Sequence, residues 1–236
     1  MKAIFTVTTA LLSNLFLVTQ SYAALVTINV SGQINFVDGT YSPDLTVSDN
    51  INAVFVYDTD EAQATSADTV GSTDPGHEYT SFYEFSTPPY GGTVTHVASG
   101  DSFNGNLAAV VVNDNLSNGG SDLDNVIPAG TYDWIEILGS TTVDGPNGYP
   151  ADGEEWTLAL FSSDTSWITD GTLIPNNLPS AYTAILVGQE FDAQEDAVGS
   201  VIVEISSVSV VGIPEPSSAL LLSLGCLSFA LRRSRH

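Results

Sequence analysis

The chain has 236 residues and carries 28 Asp and Glu against 4 Lys and Arg, a formal net charge of -24. No Lys or Arg stands between Ala3 and Leu231, which excludes unaided binding to nucleic acid and docking of the central region on an anionic membrane, since both need clustered basic side chains. With 43% hydrophobic and 9% aromatic residues, the chain has enough apolar material for a core, and intrinsic disorder is disfavoured.

The N-terminus reads as a secretory signal peptide over residues 1–23. Lys2 gives a short positive start, and an apolar stretch runs from Ala3 to Val18. Ser21-Tyr22-Ala23 then supplies the small-x-small cleavage pattern, so the expected cut lies between Ala23 and Ala24.

From Ala24 to Val211 the recurring pattern is short β-prone runs bounded by Gly, Pro, Asn and Asp. The clearer runs are Leu25–Val30, Gln33–Val37, Ile51–Tyr57, Tyr79–Phe85, Thr93–Val97, Leu107–Val112, Thr131–Leu138, Trp156–Phe161, Ala181–Val187 and Ser200–Val211. In the last, Val201, Val203 and Ile205 share one face and Ile202 and Glu204 the other, the period of two of a strand. Trp156, Leu158 and Leu160 likewise share a face, with Phe161 on the opposite one. No segment has the apolar stripe of a long amphipathic helix. The stretch Asp60–Asp68 is expected to be a loop or a helical turn. Many short strands joined by Gly- and Pro-rich turns predict an all-β domain over 24–211. The expected form is a single, jelly-roll-like β-sandwich flanked by the signal peptide and a C-terminal hydrophobic helix.

Catalytic material is sparse. His77 and His96 are the only histidines of the central region, and no Gly-x-Ser-x-Gly elbow accompanies them. Two histidines without paired cysteines do not make a zinc site. Asp133-Trp134-Ile135-Glu136 and Glu154-Glu155-Trp156 set acids beside tryptophans, the material of a sugar site or a glycosidase carboxylate pair. In a strand, however, Asp133 and Glu136 point to opposite faces. Calcium is the cofactor that oxygen-rich loops suit, with Asp58, Asp60, Glu61, Asp122 and Asp124 as candidate ligands. The acids have no Lys or Arg nearby, so they repel unless screened or bridged.

Residues 212–236 close the chain in three parts. Pro214-Glu215-Pro216 comes first, then an uncharged apolar run from Ser217 to Leu231, then Arg232-Arg233-Ser234-Arg235-His236. Pro216 suits the first turn of a helix. By the positive-inside rule, Arg232, Arg233 and Arg235 stay cytoplasmic and the acidic domain lies outside. The only cysteine, Cys226, sits within the apolar run, so the central domain has no disulfide and must be held by its core or by its core plus ions.

This tail resembles the PEP-CTERM sorting signal of exported bacterial proteins, and is similar to the segment labelled as the C-terminal domain of ice-binding proteins. The resemblance covers about 25 residues and describes the tail alone. It implies signal peptidase and a membrane-embedded exosortase as partners during export. It also implies transient anchoring in the inner membrane and a final place at the cell surface or in an exopolysaccharide-rich matrix. Phe55-Val56-Tyr57-Asp58, Trp156-Thr157-Leu158 and Leu178-Pro179 resemble short motifs of other PEP-CTERM proteins. They imply shared architecture and carry over no catalytic residue. The reading is an exported, acidic, non-enzymatic surface or matrix protein. Its rivals are a carbohydrate-binding module, which a solvent-facing Trp134, Trp156 or Trp167 beside open carboxylates would favour, and a secreted glycoside hydrolase.

Overall fold

The computed structural model describes residues 24–38, 41, 45–60, 64–68, 81–85, 89–105, 107–118, 128–141, 152–175 and 177–214. Within it, Leu25–Gly212 forms one compact unit. The described residues are all-β and contain no helix. The strands are β1 (Ala24–Val37), β2 (Asn50–Asp58), β3 (Ser66–Asp68), β4 (Ser81–Phe85), β5 (Gly91–His96), β6 (Ser102–Gly105), β7 (Leu107–Asn118), β8 (Gly130–Ser140), β9 (Glu154–Ser162), β10 (Thr183–Phe191) and β11 (Ala197–Pro214). They form one sheet in the order β3-β4-β7-β8-β9-β10-β11-β1-β2-β5-β6. Each pairing with a described register is antiparallel.

The sheet curls back on itself, so that one end lies over its middle strands. Strands β5 and β6 lie against β8, and β5 and β2 also approach β7, without pairing to them. Apolar side chains alternate along each strand, so curling gathers one face inside. Val26, Ile28 and Val30 of β1 pair with Tyr57, Phe55 and Ala53 of β2, and all six are buried. Val110 and Val112, Ile135 and Ile137, Leu158 and Leu160, Leu186, Val201 and Val203 complete this core from β7 to β11. Glycines allow the closest crossing. A Cβ on Gly139 would stand 2.8 Å from the Gly92 backbone nitrogen, and one on Gly105 would stand 2.8 Å from the Ser140 nitrogen. Any side chain there would hold the two backbones apart.

One end of the curled sheet is closed by the chain between β9 and β10. Ile168 N–H donates to the buried Asp133 carboxylate at 2.8 Å, and Tyr57 Oη donates to the Pro175 carbonyl at 2.9 Å. Ser81 Oγ and Tyr83 Oη reach the carbonyls of Gly171 and Thr172. These bonds satisfy polar groups that would otherwise be buried without partners.

Several expectations are refined. The two runs Leu25–Val30 and Gln33–Val37 are one strand, β1. Gly32 marks a close approach in place of a turn, since its Cβ would stand 2.5 Å from the Glu204 carbonyl oxygen. The stretch Asp60–Asp68 ends in the edge strand β3, where Ser66 pairs with Glu84 and donates to its carboxylate at 2.9 Å. The expected sandwich is, in its hydrogen bonding, a single curled sheet. The signal peptide over 1–23 and the apolar run from Ser217 to Leu231 lie outside the described residues; of the closing segment 212–236, residues 212–214 continue β11.

Candidate functional site

Opposite the closed end, the inner face of the sheet runs out into a cleft of about 240 Å³. Its walls include Tyr41, His96, Asp101, Phe103, Glu154 and Trp156.

Trp156 forms the floor. In β9 it pairs with Gly139 on one side and Gly188 on the other. Both neighbours lack a side chain, so the indole spreads over Gly188. It is 3% exposed. Its buried indole N–H has no hydrogen-bond acceptor. The Tyr41 hydroxyl feels that N–H without reaching hydrogen-bond geometry.

Tyr41 reaches the cleft because Asp38 is bonded to β11 and Tyr41 in turn to Asp38. Asp38 N–H donates to the Ser200 carbonyl at 2.8 Å, and Tyr41 N–H to the Asp38 carbonyl at 3.0 Å. Gly199 makes this possible, since a Cβ there would stand 2.6 Å from the Tyr41 nitrogen. The Tyr41 ring meets Trp156 edge to face at 6.2 Å, and Phe103 of β6 meets it at 6.3 Å and 55°. Burial pushes the Tyr41 hydroxyl well above its ordinary value, and the charges of Glu154 and Glu190 add to that.

The rim is acidic. Glu154 and Glu190 pair directly across β9 and β10. Partial burial, and then the Glu190 charge, raise the Glu154 carboxyl above the usual carboxylate range. Asp101 stands exposed at the mouth.

Beside the cleft lies a Ser-His-Asp constellation. His96 Nδ1 is 2.9 Å from Ser99 Oγ, and Nε2 is 3.4 Å from Asp49 Oδ2. Asp49 is held ionised chiefly by the Thr46 N–H and hydroxyl, which donate to it at 2.8 and 2.9 Å, with His96 adding to the effect. These contacts resemble a triad in distance, yet they are those of a hairpin turn. Ser99 Oγ also accepts the Asp101 N–H at 3.2 Å, and Gly100 N–H returns to the His96 carbonyl. Ser99 does not line the cleft. The arrangement fixes His96 at the rim. His77 lies outside the described residues.

The other candidates disperse. Asp133 is fully buried on the core face, where it anchors Ile168. Glu136 points to the opposite face, so the two are not a catalytic pair. On that opposite face Trp134 and Phe161 meet edge to face at 4.8 Å within a second apolar cluster with Ala159 and Ile185. Glu136 as a whole is half-buried, and burial of its carboxyl, and then the Glu155 charge, push that carboxyl up to about 7. Glu155 is itself buried and accepts from Ser140 Oγ at 3.1 Å. None of the three tryptophans is a solvent-facing platform, since Trp134 and Trp156 are buried and Trp167 is partly covered, its N–H donating to the Asn177 carbonyl.

Of the calcium candidates, Asp58 is buried, and its two oxygens accept the Asp60 N–H at 2.8 Å and the Tyr90 hydroxyl at 3.2 Å. Asp60 is partly exposed. Glu61, Asp122 and Asp124 lie outside the described residues. Among the described residues no three His, Cys, Asp or Glu side chains gather as a metal site. Of the sorting and processing residues, Ala24 opens β1 and Pro214 ends β11. Ala23, Glu215, Pro216, Arg232, Arg233 and Arg235 lie outside the described residues.

Tyr41, Phe103 and Asp101 are among the cleft residues that sequence reasoning misses. Tyr41 sits in a loop with no periodic pattern, and Phe103 in a four-residue strand too short to register as one. The chain matches no protein-family model, no curated protein and no solved structure.

Proposed function

We propose that this chain is an exported, non-enzymatic surface or extracellular-matrix protein, delivered by its PEP-CTERM-like tail through an exosortase. We read its curled sheet as a jelly-roll-like sandwich that serves as a binding module. The observation that carries the sorting route is the order of the tail: Pro214-Glu215-Pro216, the apolar run Ser217 to Leu231, then Arg232, Arg233 and Arg235. The non-enzymatic part is supported by Asp133 and Glu136 facing opposite sides of β8, and by Ser99 standing outside the cleft. The excess of acids over basic residues suits an exported domain, and it attracts calcium. A melting temperature that rises with millimolar calcium, beyond what the added ionic strength gives, marks a bound ion.

The test of the reading is to change Pro214, Glu215 and Pro216 together to alanine. The expected result is a protein held in the inner membrane with its tail uncut. A variant that reaches the same location with the same mass as the unaltered protein overturns the sorting route.

A further inference from the structure

We propose that the cleft between Tyr41, Phe103 and Trp156 holds one neutral sugar ring of a glycan. This rests on reading the domain as a binding module, and it assigns the chemical class of the ligand.

The walls make complementary demands. Glu154 and Asp101 are acceptors, so a ligand must bring donors to them. The Trp156 N–H, a buried donor beside the Tyr41 hydroxyl, makes no hydrogen bond of full geometry, so a ligand that also offers an acceptor there is favoured. A hydroxyl group does both, and a ring carrying several hydroxyls meets both walls at once. An anion fails because Glu154, Glu190 and Asp101 repel it and His96 is the only basic side chain at the cleft. An organic cation satisfies the acids and leaves the indole N–H unmet. Phe103, the least buried of the three rings, offers an apolar face to the C–H groups of a sugar.

Size points the same way. A cleft of about 240 Å³ falls below the roughly 300–1,000 Å³ of pockets for drug-sized ligands, which suits one ring with the rest of a glycan outside. The site is also fixed in advance. Trp156 is seated on Gly188, Tyr41 is clipped to β11, and His96 is held between Asp49 and Ser99. A preformed site loses less conformational entropy on binding. A larger, shallower groove across β11, β1 and β2 has no aromatic wall.

The test is calorimetric titration of the full-length chain, kept in solution by a detergent with no sugar headgroup. The probes are neutral gluco-, galacto- and manno-oligosaccharides, an oligouronate and a glucosamine oligomer. We expect at least one neutral oligosaccharide to bind, tenfold or more tightly than the oligouronate and the glucosamine oligomer. Phe103→Ala and Glu154→Gln should each weaken it tenfold or more. Trp156→Phe, which keeps a ring and removes the N–H, should weaken it as well. Should Trp156→Phe fail to fold, the two rim variants decide, with unchanged melting temperatures as their control. Three results overturn the proposal: no binding of any neutral probe, tighter binding of the uronate or amino sugar, or neutral binding that both rim variants leave unchanged. None of these bears on processing of the tail, so the site and the sorting route fail separately.

Discussion

Gly188 lies directly against the indole of Trp156, such that a Cβ at position 188 would stand 2.7 Å from Trp156 Cζ2. The two residues are cross-strand partners in β10 and β9. The pairing is spatial economy: a large ring placed at the end of a packed core needs a neighbour with no side chain. Gly188→Ala should therefore push the indole out of its seat. The expected loss is about 1–3 kcal/mol, the usual range for overpacking, read from the urea midpoint, together with a shifted tryptophan emission. An alanine variant with wild-type stability and emission would show that the indole has room to move.

Asp133 is one of several side chains that anchor the closed end of the sheet. Its carboxylate is fully buried and accepts the Ile168 N–H. Asp133→Ala should cost about 1.5–3 kcal/mol, as a bond to a charged group does. It should also expose residues 163–182 to protease. Asp133→Asn, which keeps an acceptor, should cost less. Equal losses from the two variants would mean that the bond to Ile168 is not what holds this segment.

Stability should be greatest in mild acid. The Glu136 carboxyl is raised to about 7 in the folded chain, against about 4.3 when unfolded. Between those values the folded chain holds a proton that the unfolded chain has released. The associated stability is full below the unfolded value and is lost as pH rises through 7. Glu154 acts in the same direction. Asp49, Asp164 and Asp170 act oppositely, since local hydrogen bonds hold them below the usual range. Their contribution is lost as pH falls through those lowered values. From pH 4.5 to 7.5 the fall due to Glu136 should be about 1–3 kcal/mol. Glu136→Gln should flatten most of it. A slope that persists in this variant would place the titrating group elsewhere.

The Asp49-His96-Ser99 turn gives a direct check on the non-enzymatic reading. A fluorophosphonate probe should leave Ser99 unlabelled, because its Oγ also accepts the Asp101 N–H and it stands outside the cleft. Stoichiometric labelling at Ser99, abolished by His96→Ala, would make the chain a serine hydrolase.

Much of the sheet is legible in the sequence because its strands alternate. The faces read from Val201, Val203 and Glu204, and from Trp156, Leu158 and Phe161, are the faces that the structure buries or exposes. What is not legible depends on contacts distant along the chain. Gly32 looks like a turn residue until Glu204 is placed against it. The edge strands β3 and β6 are too short to show a period, and they exist because β4 and β5 offer them a free edge. The cleft is hidden for the same reason. Of its walls, Glu154 and Trp156 attract notice as acids beside a tryptophan, while Tyr41 and Phe103 come to them only through the curl of the sheet.

Export and tail removal are read together from the intact mass of the protein recovered from the cell-surface and matrix fractions of the cell that makes it. The expected chain begins at Ala24 and has lost the apolar run and Arg232, Arg233 and Arg235. A chain beginning at Met1 and retaining those arginines, or one found only inside the cell, would contradict the sorting route.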